Sequence, residues 1–129
     1  MSNRKKIFYK KAFLLFEVAI SISILSIGLI FVIRSITYSI NAAQQAIEYV
    51  QAQGLLSQKA FELQLESDLL GLELVSEEGL FEKNPSYSWR YSVERIQPNF
   101  LGGLNLYINW NSLRRKNNLG INTYVRIKE

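Results

Sequence analysis

The chain has 129 residues, enough for one small domain, and it contains neither cysteine nor histidine, which excludes disulfides, Cys/His metal ligation and Cys- or His-based nucleophilic catalysis. Its formal charge of +4 is unevenly spread. Arg4, Lys5, Lys6, Lys10 and Lys11 give the first twelve residues five positive charges and no acid, while the remaining 117 carry 10 basic and 11 acidic side chains. The basic balance therefore belongs to the N-terminus and implies no polyanion partner for the rest of the chain.

Immediately after that block the chain turns apolar. From Phe13 to Ile33 the only ionisable side chain is Glu17, and the next charge is Arg34. As a helix this run is roughly 32 Å long, sufficient to cross a hydrocarbon core of about 30 Å. It is longer than the apolar stretch of a secretory signal peptide, and no Ala-x-Ala site follows it before Arg34, so the segment is expected to be retained. The basic residues before it place the N-terminus on the cytoplasmic side and everything after about residue 34 on the far side.

A carboxylate inside such a run is expensive, by about 3 kcal/mol at the bilayer centre. One reading of Glu17 is an acid that snorkels or protonates near the membrane edge. Another follows from its position one helical turn after Phe13. If the chain were cut between Ala12 and Phe13, the new ammonium would stand at a helix N-terminus, where it opposes the helix dipole and a nearby acid offsets it.

The run Lys10-Lys11-Ala12-Phe13-Leu14-Leu15-Phe16-Glu17-Val18 resembles the processing signal of type IV pilins and type II secretion pseudopilins. In that family a short basic leader precedes a small residue, then Phe or Met, with Glu four residues later. The resemblance implies cleavage after Ala12 by prepilin peptidase, N-methylation of Phe13 and a self-assembly role for Glu17. Two positions depart from the usual pattern: the residue before the cut is usually Gly where this chain has Ala12, and bulky Phe16 is less usual beside the Glu.

Helical periodicity continues beyond Arg34. Ile33, Ile36, Ile40, Ala43, Ile47, Val50 and Gly54 form one apolar stripe, separated by polar residues such as Ser39, Gln44, Glu48 and Gln51. After Gly54 the stripe shifts to Leu55, Leu56, Ala60, Leu63 and Leu70, and Gly71 suits a C-terminal cap. The stripe suits packing against the chain's own domain or against neighbouring helices better than a separate coiled coil, because its flanking charges are poorly placed and it includes Ala and Gly. A helix from Phe13 to about Leu70 would be roughly 85 Å long. Residues 71–87, with Glu77, Glu78, Gly79 and Asn84-Pro85, read as a helix-to-sheet connection with room for one short strand.

In the last 42 residues the period changes to two. Trp89, Tyr91 and Val93, then Leu104, Leu106, Ile108 and Trp110, then Ile121, Thr123, Val125 and Ile127 alternate with polar or exposed residues. Turns are expected at Gln97-Pro98-Asn99 with Gly102-Gly103, and at Asn117-Asn118 with Gly120. The expected fold is α+β: a long spine helix whose first half is transmembrane, with a small antiparallel meander packed on its second half, the arrangement of a pilin. The divisions are a leader at 1–12, a membrane part at 13–33, an amphipathic helix at 34–70 and a small β domain at 71–129.

The acids after Glu17 are dispersed, so no metal site, cofactor or catalytic carboxylate pair is indicated and no enzymatic activity is expected. Arg114, Arg115 and Lys116 read as a solvated hairpin tip rather than a phosphate-binding one, and nucleic acid is not an expected partner. Tyr107 and Tyr124 fall on the outward face with Arg90 and Arg126, where they suit either a partner surface or edge-strand packing.

The resemblance is specific over residues 10–40 and loose after 60; short mature length and the Trp89…Trp110…Tyr124 tail look most like the small I-type minor pseudopilin. That implies a structural subunit of a type II secretion pseudopilus in the bacterial inner membrane, with a periplasmic C-terminal domain. The implied partners are prepilin peptidase, J- and K-type minor pseudopilins and the major pseudopilin. A minor pilin of a type IV or competence pilus shares these features. A single-span, membrane-anchored periplasmic interaction module is the alternative of a different class.

Overall fold

The computed structural model describes residues 2–96 and 100–128. Among them lie one helix, α1 (Ser2–Leu70), and four strands: β1 (Ser76–Leu80), β2 (Tyr87–Arg95), β3 (Leu101–Ser112) and β4 (Arg115–Arg126). The strands form one antiparallel sheet in the order β1-β2-β3-β4. The fold is α+β, a long N-terminal helix and a small meander. The expected Gln97-Pro98-Asn99 turn lies outside the described residues. The chain divides into two compact units, Met1–Ala43 and Gln44–Glu129.

The first unit is helix throughout its described residues. It begins ahead of Phe13, because the leader contains neither Gly nor Pro and is rich in residues that tolerate helix. The helix is long and apolar enough to cross a membrane.

In the second unit, the part of α1 after Ala43 lays one face on the sheet. Ala52, Leu56, Leu63 and Ser67 are buried there, with Leu55 and Ala60 partly so. They meet Tyr91 and Val93 of β2, Leu104, Leu106, Ile108 and Trp110 of β3, and Val125 of β4 in one apolar cluster. Period-two alternation delivers these residues, since even positions of β3 and odd positions of β2 and β4 point inward. Most of the buried helical face belongs to the stripe that follows Gly54, with Ala52 just ahead of it. Ile47 and Val50, from the earlier stripe, are 58% and 69% exposed, and Leu70, at the helix end, is exposed too.

Gly71 closes the helix as expected. Its φ of 76° is left-handed, its N–H donates to Ser67 O at 3.0 Å, and a Cβ there would stand 2.9 Å from Lys128 N. The chain then pairs with the end of the sheet. Leu72 N–H donates to Arg126 O at 2.9 Å and Lys128 N–H to Leu72 O at 2.8 Å, a short parallel bridge.

Two turn expectations are corrected. Gly102 and Gly103 lie inside β3, paired with Arg95 and Glu94. Asn117, Asn118 and Gly120 lie inside β4, and the reversal falls instead at Leu113-Arg114, both at positive φ (44° and 65°). Two consecutive left-handed residues match the right-handed twist of a tight hairpin. This placement pairs all twelve residues of β3 with β4 and sets Leu106 opposite Ile121 and Ile108 opposite Leu119. The long ladder outweighs the unfavourable turn residues. Gly120 serves packing rather than turning: a Cβ there would come within 2.5 Å of the Tyr107 ring.

The segment 71–87 does hold a strand, β1. Its composition is poor for a strand, but cross-strand partners support it: Tyr91 Oη donates to Glu77 Oε2 at 2.9 Å and Arg90 pairs with Glu78 at 2.7 Å.

Candidate functional site

The basic pair Lys10-Lys11, Ala12, Phe13 and Glu17 all lie on α1 with exposed side chains, Phe13 by 68%. Four residues separate Phe13 from Glu17, so helical geometry stacks their side chains one turn apart on the same face. The bond between Ala12 and Phe13 is itself inside the helix. Polar groups in the apolar run are satisfied internally. Ser21, Ser23 and Ser26 hydroxyls donate to the carbonyls of Glu17, Ala19 and Ile22 at 2.8–2.9 Å, and Thr37 and Ser39 do the same further on. Such back-bonding hides hydroxyls where water is scarce. Glu17 is the one ionisable side chain between Phe13 and Ile33, and it lacks this option.

In the second unit, the face of α1 turned away from the sheet carries Ile47, Val50, Phe61 and Leu65, with Gly54 between them. Phe61 is 70% exposed and the Gly54 site is open. These residues recur at helical spacing and form a second apolar stripe roughly opposite the buried one.

The sheet residues singled out from the sequence do not form one site. Tyr107 and Tyr124 both stand exposed on the outer face, but Tyr107 pairs across to Gly120 and Tyr124 to Gly103. Arg114 lies in the turn, and Arg115 and Lys116 open β4. Lys116 and Tyr124 are therefore separated by roughly 27 Å along the strand. Arg90 pairs directly with Tyr107 across β2 and β3, as expected, and is also engaged by Glu78.

Three features escaped the sequence reading. Ser67 is fully buried, and its hydroxyl accepts from Arg126 N–H and donates to Arg126 O, clamping the helix to β4. A hydroxyl four residues after Leu63 on the buried stripe was its only signal. At the other end of the contact, Tyr87 Oη lies 3.3 Å from Glu48 O and 3.1 Å from Gln51 Oε1. The Trp110 ring stands edge-on to Tyr49 at 5.1 Å and beside Tyr87 at 5.8 Å. Lys59 Nζ lies 4.2 Å above the Trp89 ring, which itself stacks on Tyr91.

Burial raises the pKa of both Tyr87 and Tyr91 above the ordinary 10.0, helped by Glu48 at Tyr87 and by the hydrogen bond to Glu77 at Tyr91. Unfolding would release these phenols to ionise near pH 10, so above that pH the folded state holds more protons than the unfolded one. The stability of this unit should therefore be flat with respect to these groups up to about pH 10 and fall above it. Denaturant midpoints read by tryptophan emission between about pH 8 and pH 11 test this; a midpoint that rose through that range would contradict it.

Among the described residues no group of three or more Asp or Glu side chains is placed to hold a metal ion. No protein-family model, curated protein or solved structure matches this chain.

Proposed function

We propose that the chain is a minor pseudopilin, a structural subunit of a type II secretion pseudopilus that joins its tip or initiation complex. The position of Glu17 carries this reading: one carboxylate, one helical turn after Phe13, at the start of an otherwise uncharged membrane-length helix behind a basic leader. An ordinary anchor has no use for a group that costs about 3 kcal/mol in the bilayer. A processed subunit does, because the ammonium made by cleavage before Phe13 needs a counter-charge.

On this reading prepilin peptidase removes residues 1–12 and methylates the Phe13 amine. Glu17 then pairs with that amine or with a neighbour's and sets the stacking register as subunits leave the inner membrane. The uncovered stripe Ile47, Val50, Phe61 and Leu65 supports the same picture, since it offers the C-terminal part of α1 a second surface for neighbouring helices. The sheet unit, on the periplasmic side, supplies contacts to the J- and K-type and major pseudopilins. The role is assembly, with no catalytic step.

Intact mass of the protein extracted from cells with an active peptidase tests the chemistry. The expected chain begins at methylated Phe13. A full-length mass retaining the leader would remove the reading and leave a membrane-anchored interaction module. Cleavage combined with incorporation into a surface pilus, rather than a secretion apparatus, would assign the subunit to a type IV pilus.

A further inference from the structure

The two edges of the sheet, β1 and β4, both carry unpaired main-chain groups. Ile127 N–H donates to Phe100 O, so the bonds between β4 and β3 fall on odd residues of β4. Lys116, Asn118, Gly120, Asn122 and Tyr124 therefore direct N–H and C=O away from β3. The next residue in that series, Arg126, is already taken by Ser67 and Leu72, which shows that this edge accepts an added main chain. In β1, Val75 O accepts from Val93 N–H and Phe81 N–H donates to Tyr87 O, which puts the bonds to β2 on odd residues as well. Ser76, Glu78 and Leu80 are left pointing outward. None of these edge residues has a main-chain partner among the described residues, and all are exposed.

The two edges match each other. Four antiparallel strands make β1 run opposite to β4, so a copy displaced sideways presents β1 antiparallel to β4. The free groups on both edges belong to residues whose side chains lie on the outer face, so hydrogen bonding and facing agree together; with three strands the directions would not. Charge agrees too. From Leu101 to Arg126 there are Arg114, Arg115, Lys116 and Arg126 and no acid, whereas β1 carries Glu77 and Glu78 and no base. Pairing β4 with β4 about a two-fold at Gly120 would instead set Arg114 opposite Arg126. Along β4 there is no proline and no bulge in its pairing with β3, so the feature that guards this edge is its positive charge, which the acids of β1 complement.

We propose that β1 of one copy adds to the β4 edge of a second copy and continues the sheet, with Glu78 beside Lys116. The contact is head-to-tail, leaves one β1 and one β4 free, and can repeat. Strand addition draws its affinity from main-chain bonds and its selectivity from the flanking charges. It requires neither cleavage before Phe13 nor Glu17, so its outcome is separate from that of the pseudopilin reading.

The chain has no native cysteine, which allows a clean cross-linking test on the full-length protein in detergent. Two differently tagged copies, one with Ser76→Cys and the other with Asn118→Cys, are mixed and treated with a short bismaleimide. The expected product is the mixed dimer, with neither variant cross-linking efficiently to itself. Lys116→Pro on the Asn118→Cys copy removes an N–H that points to solvent and faces Glu78 in this register, so tryptophan emission should stay unchanged while the mixed dimer is lost. The exposed Lys116→Glu should also lose it by charge repulsion and does not depend on tolerance of proline. Absence of the mixed dimer overturns the proposal. So does its persistence in Lys116→Glu together with a folded Lys116→Pro copy, or self-linking of Asn118→Cys as efficient as the mixed pair, which would mean β4 pairs with β4.

Discussion

Replacing Glu17 by alanine should leave the protein in the membrane and cleaved before Phe13, yet reduce its incorporation into an assembled filament by on the order of a hundredfold or more. The sign of this effect is informative. Alanine removes a carboxylate from the apolar run, so insertion should improve by about 3 kcal/mol or less. A defect in assembly therefore could not be blamed on insertion. In the assembled state the proposed partner is an ammonium at the new helix N-terminus. Removing one member of such a pair from a water-poor site costs about 3–5 kcal/mol, because the other charge is left uncompensated. Co-purification with the other minor subunits, compared for wild type, Glu17→Asp and Glu17→Ala, measures it. Undiminished co-purification of Glu17→Ala would return Glu17 to the role of an acid at a membrane edge.

The second large effect separates two neighbours on α1. Leu63 is 2% exposed and lies in the apolar cluster between helix and sheet, whereas Phe61 is 70% exposed on the other side of the helix. Leu63→Ala should destabilise the sheet unit by about 2–5 kcal/mol, through lost burial and the cavity left behind. That is a large share of the 5–15 kcal/mol typical of a small domain. Phe61→Ala should change this stability by less than about 0.5 kcal/mol, while weakening association with partner helices. Both tryptophans, Trp89 and Trp110, lie in the sheet, so denaturation followed by their emission reports this unit without interference from the first. Equal losses in the two variants would mean that the helix does not sit on the sheet by the Leu63 face.

Some of this architecture was legible in the residues and some was not, for identifiable reasons. The apolar run, the Gly71 cap and the three alternating strands depend on local pattern, and each appears where the pattern places it. Strand β1 is faint in the sequence because Glu77, Glu78 and Gly79 are poor strand formers; its support comes from Arg90 and Tyr91, which only register reveals. The hairpin differs from its expected position because Asn117, Asn118 and Gly120 carry turn chemistry, while the chain turns at Leu113 and Arg114 to complete a longer ladder. Of the candidate site, the spacing of Phe13 and Glu17 could be read directly, since four residues on a helix have only one geometry. Whether Tyr107, Tyr124 and the basic tip share a patch depends on strand register, and the register keeps the tip and Tyr124 apart.

The helix runs without interruption through Ala12 and Phe13. If this bond is cut as proposed, its own backbone hydrogen bonds latch it until a turn around it opens. Glycine in place of Ala12 would loosen that turn by about 1 kcal/mol, roughly a fivefold gain in the opened form. Under the proposed processing, the residue before the cut would set a timer: alanine would keep the leader folded for longer and hold each newly made subunit in reserve before its release.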